Sequence, residues 1–494
     1  MLLYLDEAVN GYDAYSILKT GHTIFGEYWP LFAKSTGDFR ETIYHYLSIP
    51  FIYLFGLNEF SVKIVSFIFF FISIIFVYKI SLEVFENRKI AVFTSLFFTF
   101  NPQNLILFSL AFRMNIFIGL FLVGLYYFIK FLKLNKGRYL IISTLFFSIT
   151  LWSYFSARVF VPLFMVSILL VYYKEFLTVK KEFFLSLLIF LSIFIYLFSF
   201  WISPQGMARA NTEVEYSLIK PILNYMLYLD PYHLFLYQKK FSFMPENSGV
   251  FLFIELPFYL LGFYYFIRKK LYNDKIKKIL LILLFLSPIP ANFTGPLFEP
   301  MFFRAHILKP WINIFSAFGL VEFLEYLHYR RNLTYSIIKR VTYMFYILVT
   351  INILYSLYSR FYLYPAHRSY LYNYGIKEII EESKKSKYKN VYLSDKLYFF
   401  YYYIAFYEKI DPKYFEKYPI KFNLNTISPF NGIKIKKYIF VDISKIPITK
   451  EKSLIIERGN LPETIIKSYP YLKLLKKIVF PYNNKILYTL IEYN

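Results

Sequence analysis

Ten apolar runs, the longest a little over twenty residues, dominate this sequence and leave few ways for it to fold. They lie near residues 60–82, 90–106, 112–131, 139–154, 158–174, 183–203, 249–267, 279–291, 307–327 and 341–360. A bilayer core of about 30 Å takes about 20 apolar residues of helix, fewer where the ends are buried in protein, so each run predicts a membrane-spanning helix. The pair at 139–174, split at Ser156 to Arg158, also reads as one long broken segment. Composition agrees: 57% of the 494 residues are hydrophobic and 23% aromatic, while only 18% are charged. Soluble domains carry roughly 25% charged residues, so disorder, a coiled coil and an ordinary soluble enzyme are excluded. The chain has no cysteine, which closes off disulfides, thiolate catalysis and cysteine-bound metals.

The net charge of +24 does not point to nucleic acid, because in a membrane protein the position of the charges carries the information. Arg88 and Lys89; Lys130, Lys133, Lys136 and Arg138; Lys174, Lys180 and Lys181; Arg268, Lys269, Lys270, Lys275, Lys277 and Lys278; and Arg330, Arg331, Lys339 and Arg340 fall in every second connection. Three of the intervening short connections hold one arginine each, Arg113, Arg158 and Arg304. The excess of Lys and Arg on the cytoplasmic side then places residues 1–58, the loop 204–248 and the tail after 360 outside. With that orientation Met1 lies outside, and the apolar Met1 to Leu5 reads as the end of a span missing from this chain. The alternative is translocation of the N-terminal tail itself.

After residue 362 the sequence turns polar, with 23 basic and 12 acidic residues beyond Tyr364. Ile376 to Ser386 has helical spacing, whereas Asn390 to Ser394, Lys437 to Asp442 and Leu454 to Glu457 read as strands. Leu474 to Phe480 and Lys485 to Tyr493, joined at Tyr482-Asn483-Asn484, read as a hairpin. The expected fold is therefore an all-α polytopic membrane protein of about ten spans with a small extracytoplasmic α/β domain. Its parts are an acidic loop with juxtamembrane helices (1–58), the helical membrane domain (59–362) and the α/β domain (363–494). The basic surface of the last domain fits lipid headgroups, a cell-wall polymer or plain solvation.

Asp6 and Glu7, adjacent acids just after an apolar stretch, are the feature most suggestive of chemistry. Carboxylates at a membrane boundary are costly unless paired or functional. One could accept a proton from an acceptor hydroxyl or hold a divalent cation; a solvated pair opening an amphipathic helix would look the same. His22 and His45 share the outer segment, but no paired spacing of the zinc kind accompanies them. Asn292-Phe293-Thr294 is a glycosylation triplet of a kind expected by chance.

The outer segment continues through Tyr12-Asp13-Ala14-Tyr15, Tyr28-Trp29-Pro30-Leu31-Phe32, Lys34, Gly37-Asp38-Phe39-Arg40, Tyr44-His45-Tyr46 and Phe55-Gly56-Leu57-Asn58-Glu59-Phe60 to Lys63, where an arginine is usual. Trp152 to Pro162, with Tyr154, Arg158 and Pro162, and Pro288 to Ala291 through Arg304-Ala305-His306 follow in order. This resembles the GT-C superfamily of glycosyltransferases, in the branch similar to protein O-mannosyltransferases and the aminoarabinose transferase of lipid A. Asn115 stands where relatives often carry a second acid, which weakens any metal held by carboxylates. No cofactor is implied firmly, and a divalent cation is not favoured.

The resemblance implies a sugar donor linked through phosphate to a polyprenol, and transfer with inversion to a protein, glycolipid or cell-wall acceptor. Asp6 would be the base and Glu7 would position the acceptor. Lys34, Arg40, Arg158, Arg304 and His306 would bind the donor phosphate, Lys34 and Arg304 being preferred. Tyr12, Asp13, Asn115 and Tyr154 would line the acceptor side, and the stretch around Asp230 to Tyr232 would cover the site. Each lone arginine also fits snorkelling toward lipid headgroups, Arg113 above all. Rival readings are a transporter or flippase, for which no internal repeat is visible, and a noncatalytic subunit that binds the lipid-linked sugar.

Overall fold

The computed structural model describes all residues except 1–2, 36–37, 214–218, 238–242, 246–247, 269–273, 295–298, 330–334, 369–373, 398–399, 421–431, 443–450, 462–465, 467–470 and 494. Met1, Leu2, Gly37, Lys269, Lys270, Arg330 and Arg331 of the sequence reading thus lie outside the described residues. In chain order the first elements are α1 (Leu5–Thr20), β1 (Phe32–Lys34), β2 (Phe39–Glu41) and α2 (Ile43–Phe55). The apolar runs follow as α3 (Glu59–Phe85), α4 (Arg88–Phe100), α5 (Pro102–Leu107), α6 (Arg113–Leu134), α7 (Gly137–Thr150), α8 (Ala157–Val171), α9 (Tyr173–Phe176) and α10 (Lys180–Trp201). The long connection holds α11 (Pro204–Glu213), α12 (Ile219–Leu229) and α13 (Pro231–Phe235). Then come α14 (Glu255–Arg268), α15 (Asp274–Leu286), α16 (Ile289–Asn292), α17 (Lys309–Tyr329), α18 (Tyr335–Tyr358) and α19 (Tyr364–Arg368).

Each apolar run is helical, and polar punctuation sets where it stops. The run at 90–106 breaks because Asn101 caps α5, its side chain accepting from the amides of Gln103 and Asn104, with Pro102 in the first turn, where a missing N–H costs nothing. The segment at 139–174 is broken between Thr150 and Ala157. By length and composition five helical stretches are able to cross a membrane: Glu59–Phe85, Arg113–Leu134, Tyr173–Trp201, His306–His328 and Lys339–Arg368. Those at Arg113–Leu134 and His306–His328 are 78% and 83% buried, against 17% for Tyr173–Trp201 and Lys339–Arg368. The first two are therefore wrapped by protein, and the last two present apolar surface outward. Gly262 of α14 and Gly319 of α17 lie where any Cβ would collide with the backbone of the other helix, so only glycine permits that crossing.

The chain divides into two compact units, residues 1–37, 45–64 and 365–494 forming one and residues 38–44 and 65–364 the other. In the first, α1 packs on α21 (Phe400–Tyr407), which follows α20 (Ile376–Ser383) and precedes α22 (Lys413–Lys417). Tyr12 Oη donates to the Ile410 carbonyl at 2.8 Å, and a Cβ on Gly11 would meet Val62 and Phe406 at 2.6 and 2.7 Å. The tail strands are β3 (Asn390–Ser394), β4 (Lys434–Ile435), β5 (Tyr438–Val441), β6 (Ser453–Arg458), β7 (Leu472–Val479) and β8 (Ile486–Tyr493). They form a six-stranded sheet of order β4-β5-β3-β6-β8-β7. Central β3 runs parallel to both neighbours, with Tyr392 opposite Ile439 and Ile455. It and β6 are almost continuously buried, as expected of strands covered on both faces. The β7–β8 turn uses Asn484 with φ +55°, which asparagine tolerates. β3, β5, β6, the β7–β8 hairpin and α20 fall where alternation and helical spacing place them, α20 ending at Ser383 rather than Ser386, while β4 was not expected.

Candidate functional site

In the first unit the acid pair opens α1, and its two members are not equivalent. Glu7 is fully buried: one carboxylate oxygen lies 3.3 Å from Lys63 Nζ, and the other accepts from the Tyr4 amide at 2.7 Å, capping the helix. Asp6, in the same first turn, is only half-buried. Asp13 is buried two turns on, accepting from the Ile24 amide at 3.1 Å and from Tyr402 Oη at 3.2 Å. Burial raises the Tyr12 phenol. Tyr12 and Asp13 thus fasten α1 to the loop after it and to the tail. His45 Nε2 meets Asn10 Oδ1 at 3.1 Å, and His22 Nδ1 lies 3.6 Å from Glu416. Lys34 is exposed on β1; its amide donates to both Glu27 oxygens, and its ammonium lies 5.6 Å from the Phe25 ring centroid.

In the second unit a different carboxylate organises the charge. Glu41, at the end of β2, is buried between Arg113 Nη1 at 2.5 Å and Arg158, whose Nη2 and Nε lie at 2.8 and 3.0 Å. Burial alone would raise the Glu41 carboxyl, but the guanidinium groups of Arg158 and Arg113 outweigh it and hold it below the usual range. Asp38 pairs with Arg40 at 3.3 Å and Arg209 at 3.8 Å. Arg158 and Arg209 both lie over the Phe155 ring. Among the described residues, four guanidinium groups therefore surround two carboxylates, a ratio that favours the approach of an anion. Arg113 does not snorkel, because its side chain is only 8% exposed and committed to Glu41.

The start of α17 lies at the same end of this unit. Ser156 Oγ reaches the Arg304 carbonyl at 3.3 Å, and the His306 ring lies 5.2 Å from that of Phe108, just before α6. His306 is buried with Lys309, their Nδ1 and Nζ 2.8 Å apart. Arg304 is half-buried. Asn115 spends its amide nitrogen on Ser66 Oγ and the Leu107 and Leu110 carbonyls, fixing the turn between α5 and α6. Tyr154 is buried against Phe117. Asp230 caps α13 and pairs with His233 at 2.6 Å. Asn292 is buried, its amide donating to the Pro221 carbonyl, so the glycosylation triplet is not presented at the surface. An apolar cavity of about 200 Å³ lies among α7, α8 and α10, walled by Phe147, Pro162, Val166, Phe190 and Phe194. Among the described residues no three His, Asp or Glu side chains come together as a metal site.

Among solved structures, ArnT from Cupriavidus metallidurans bound to undecaprenyl phosphate aligns with a TM-score of 0.59 at 10% identity, over 100% of this chain and 94% of its own. The chain has the GT-C fold. The apo form of the same enzyme gives 0.58 at 10% identity, over 98% and 93% of the two chains. AglB from Archaeoglobus fulgidus, an oligosaccharyltransferase in complex with an inhibitory peptide and a dolichol-phosphate, gives 0.50 at 12% identity, over 82% of this chain and 60% of its own. The family model for dolichyl-phosphate-mannose-protein mannosyltransferase matches residues 43–200. No curated protein matches the sequence. In fold, and over that stretch in sequence, the chain resembles the GT-C glycosyltransferases, and it carries helices long and apolar enough to cross a membrane.

Sequence reasoning does not single out Glu41, Arg209 or Lys309. Glu41 had a signal: lone arginines in connections otherwise poor in charge require counter-charges, and Glu41 adjoins Arg40, itself a candidate.

Proposed function

We propose that this GT-C protein is a membrane glycosyltransferase that moves a sugar from a polyprenyl phosphate to an extracytoplasmic hydroxyl with inversion. The observation that carries the reading is the division of labour at the start of α1. Glu7 is committed to Lys63 and to the helix cap, while Asp6 stays partly accessible. Asp6 accepts the hydroxyl proton; the acceptor oxygen bonds to the anomeric carbon; the bond from that carbon to the phosphate oxygen breaks, and polyprenyl phosphate leaves with the electron pair. Glu7 acts by fixing the helix turn that presents Asp6, and so the acceptor. Lys34, Arg40, Arg158, Arg304 and His306 supply the positive charge that a leaving phosphate requires. The apolar cavity among α7, α8 and α10 suits part of a prenyl chain. Residues 1–58 and 363–494 form the extracytoplasmic parts and 59–362 the membrane domain.

The test is sugar transfer from a panel of polyprenyl-phosphate hexoses to membrane acceptors, comparing wild type with Asp6→Asn. Transfer is expected to fall by roughly 10²–10⁴-fold with donor binding retained. Equal transfer in both removes Asp6 as the base. Absent transfer by the wild type despite tight donor binding favours a noncatalytic binding subunit.

A further inference from the structure

Ser186 stands on the α10 wall of the apolar cavity of about 200 Å³ among α7, α8 and α10. It is 3% exposed, and among the described residues its Oγ has no hydrogen-bond partner. A buried hydroxyl without a partner is costly. Phe147, Val166, Phe190 and Phe194 wall the same space, so it suits a hydrocarbon chain that brings an oxygen to Ser186.

The end of α10 nearer Ser186 is basic. Lys180 and Lys181 open the helix, and Ser186 follows six residues after Lys180, about 9 Å along the axis. Lys136 and Arg138 flank Gly137, the first residue of α7, and Lys174 lies in α9. The two helix starts lie side by side: a Cβ on Gly137 would collide with the Glu182 side chain, and Thr178 Oγ1 donates to Asn135 Oδ1 at 2.7 Å. All five basic residues are exposed. Glu175 is taken by Lys275 at 2.8 Å, and among the described residues no ion pair engages the five. At the far end of α10, Arg158 Nη1 reaches the Gly206 carbonyl at 3.4 Å. A helix of 22 residues is about 33 Å long, so the basic rim and the Glu41 cluster lie at opposite ends of the unit. A phosphate held at the Glu41 cluster is therefore not the anion this rim attracts.

We propose that the rim between α7 and α10 binds an anionic glycerophospholipid. Its phosphate lies against Lys180, Lys181 and Arg138, an oxygen joining a chain to glycerol accepts from Ser186 Oγ, and that chain enters the cavity. Ester or ether oxygens sit below the phosphate of such a lipid, as Ser186 sits below Lys180. A prenyl chain fills apolar volume too, but it carries no oxygen past its phosphate and leaves Ser186 unsatisfied. The inference does not depend on the glycosyltransferase reading.

The experiment measures thermal unfolding of the full chain in detergent with phosphatidylglycerol, its diether analogue, phosphatidylcholine or undecaprenyl phosphate. Phosphatidylglycerol is expected to raise the wild-type midpoint more than phosphatidylcholine, and the stronger of its ester and ether forms identifies the oxygen. Lys180→Gln with Lys181→Gln is expected to weaken phosphatidylglycerol binding about tenfold, whereas arginine at both positions retains it. Ser186→Ala is expected to weaken it about fivefold without lowering the ligand-free midpoint. Val166→Phe, which fills the cavity, weakens it as well. Equal stabilisation of the wild type by phosphatidylglycerol and phosphatidylcholine overturns the proposal, as does unchanged phosphatidylglycerol binding in the double glutamine variant. Unchanged binding in Ser186→Ala overturns the contact inside the cavity. Parallel loss of undecaprenyl phosphate binding in the same variants gives the rim to the lipid carrier and overturns the phospholipid. Each of these outcomes leaves sugar transfer, tested separately with Asp6→Asn, untouched.

Discussion

Glu7 in one unit and Glu41 in the other are both buried, and the structure compensates the two differently. Glu7 pairs with Lys63 and accepts from the Tyr4 amide, an arrangement that sets one charge against one and ties a helix start in place. Glu41 is enclosed by two arginines, with Asp38, Arg40 and Arg209 beside it, so that among the described residues of the cluster cations outnumber acids. A closed pair serves the fold, whereas an unbalanced cluster retains attraction for an anion. The comparison also explains why Lys63 in place of an arginine is tolerated: a point charge suffices for one carboxylate oxygen, while the Glu41 arrangement uses the fork of Arg158.

The sharpest way to break the comparison is Glu41→Gln. Removing the shared acid leaves two buried guanidinium groups facing each other, and a loss of about 3–5 kcal/mol is expected, read by chemical or thermal unfolding in detergent. Lys63→Met strands Glu7 in the same manner but leaves it the Tyr4 amide, so about 3 kcal/mol is expected; Lys63→Arg should cost little. A Lys63→Met effect larger than that of Glu41→Gln would reverse the ranking of the two sites.

Acid distinguishes them further. The Glu41 carboxyl is held below its ordinary value in the folded protein, so between its folded and unfolded pKa the unfolded chain binds more protons. Its contribution is complete above the ordinary value of 4.5 and is lost as pH falls through the folded value. The stability gap between wild type and Glu41→Gln should therefore narrow progressively below that pH, and a gap independent of pH would show that the charge is not what matters. The smallest expected effect is that of Tyr402→Phe, which removes a hydrogen bond to Asp13 and should cost about 1 kcal/mol. A loss above about 3 kcal/mol would mean that Asp13 depends on this contact as strongly as Glu41 does on its arginines.

Much of this was legible from the chain alone. The apolar runs locate the helices because a long apolar segment has to bury itself or face lipid, and helix is the conformation that satisfies its backbone locally. The tail strands and hairpin follow from alternation and turn residues in the same local way. That Asp6-Glu7 stands out was visible as well, since adjacent acids beside an apolar stretch need a reason to be there. Their division of labour was not, because Lys63 lies 56 positions away from Glu7 and nothing in the spacing selects which carboxylate it meets.

The amino-acid sequence by itself determined where this chain is helical, where it becomes a sheet, and which connections carry charge, because those properties depend on neighbours a few residues apart. Only the tertiary structure decided which charges are spent on the fold and which keep an excess. Arg113 and Arg158 meet Glu41 across 72 and 117 residues, and Lys309 pairs with a histidine rather than an acid. Coulomb energy depends on distance in space and on the water removed around each group, and neither quantity is written in the order of the residues.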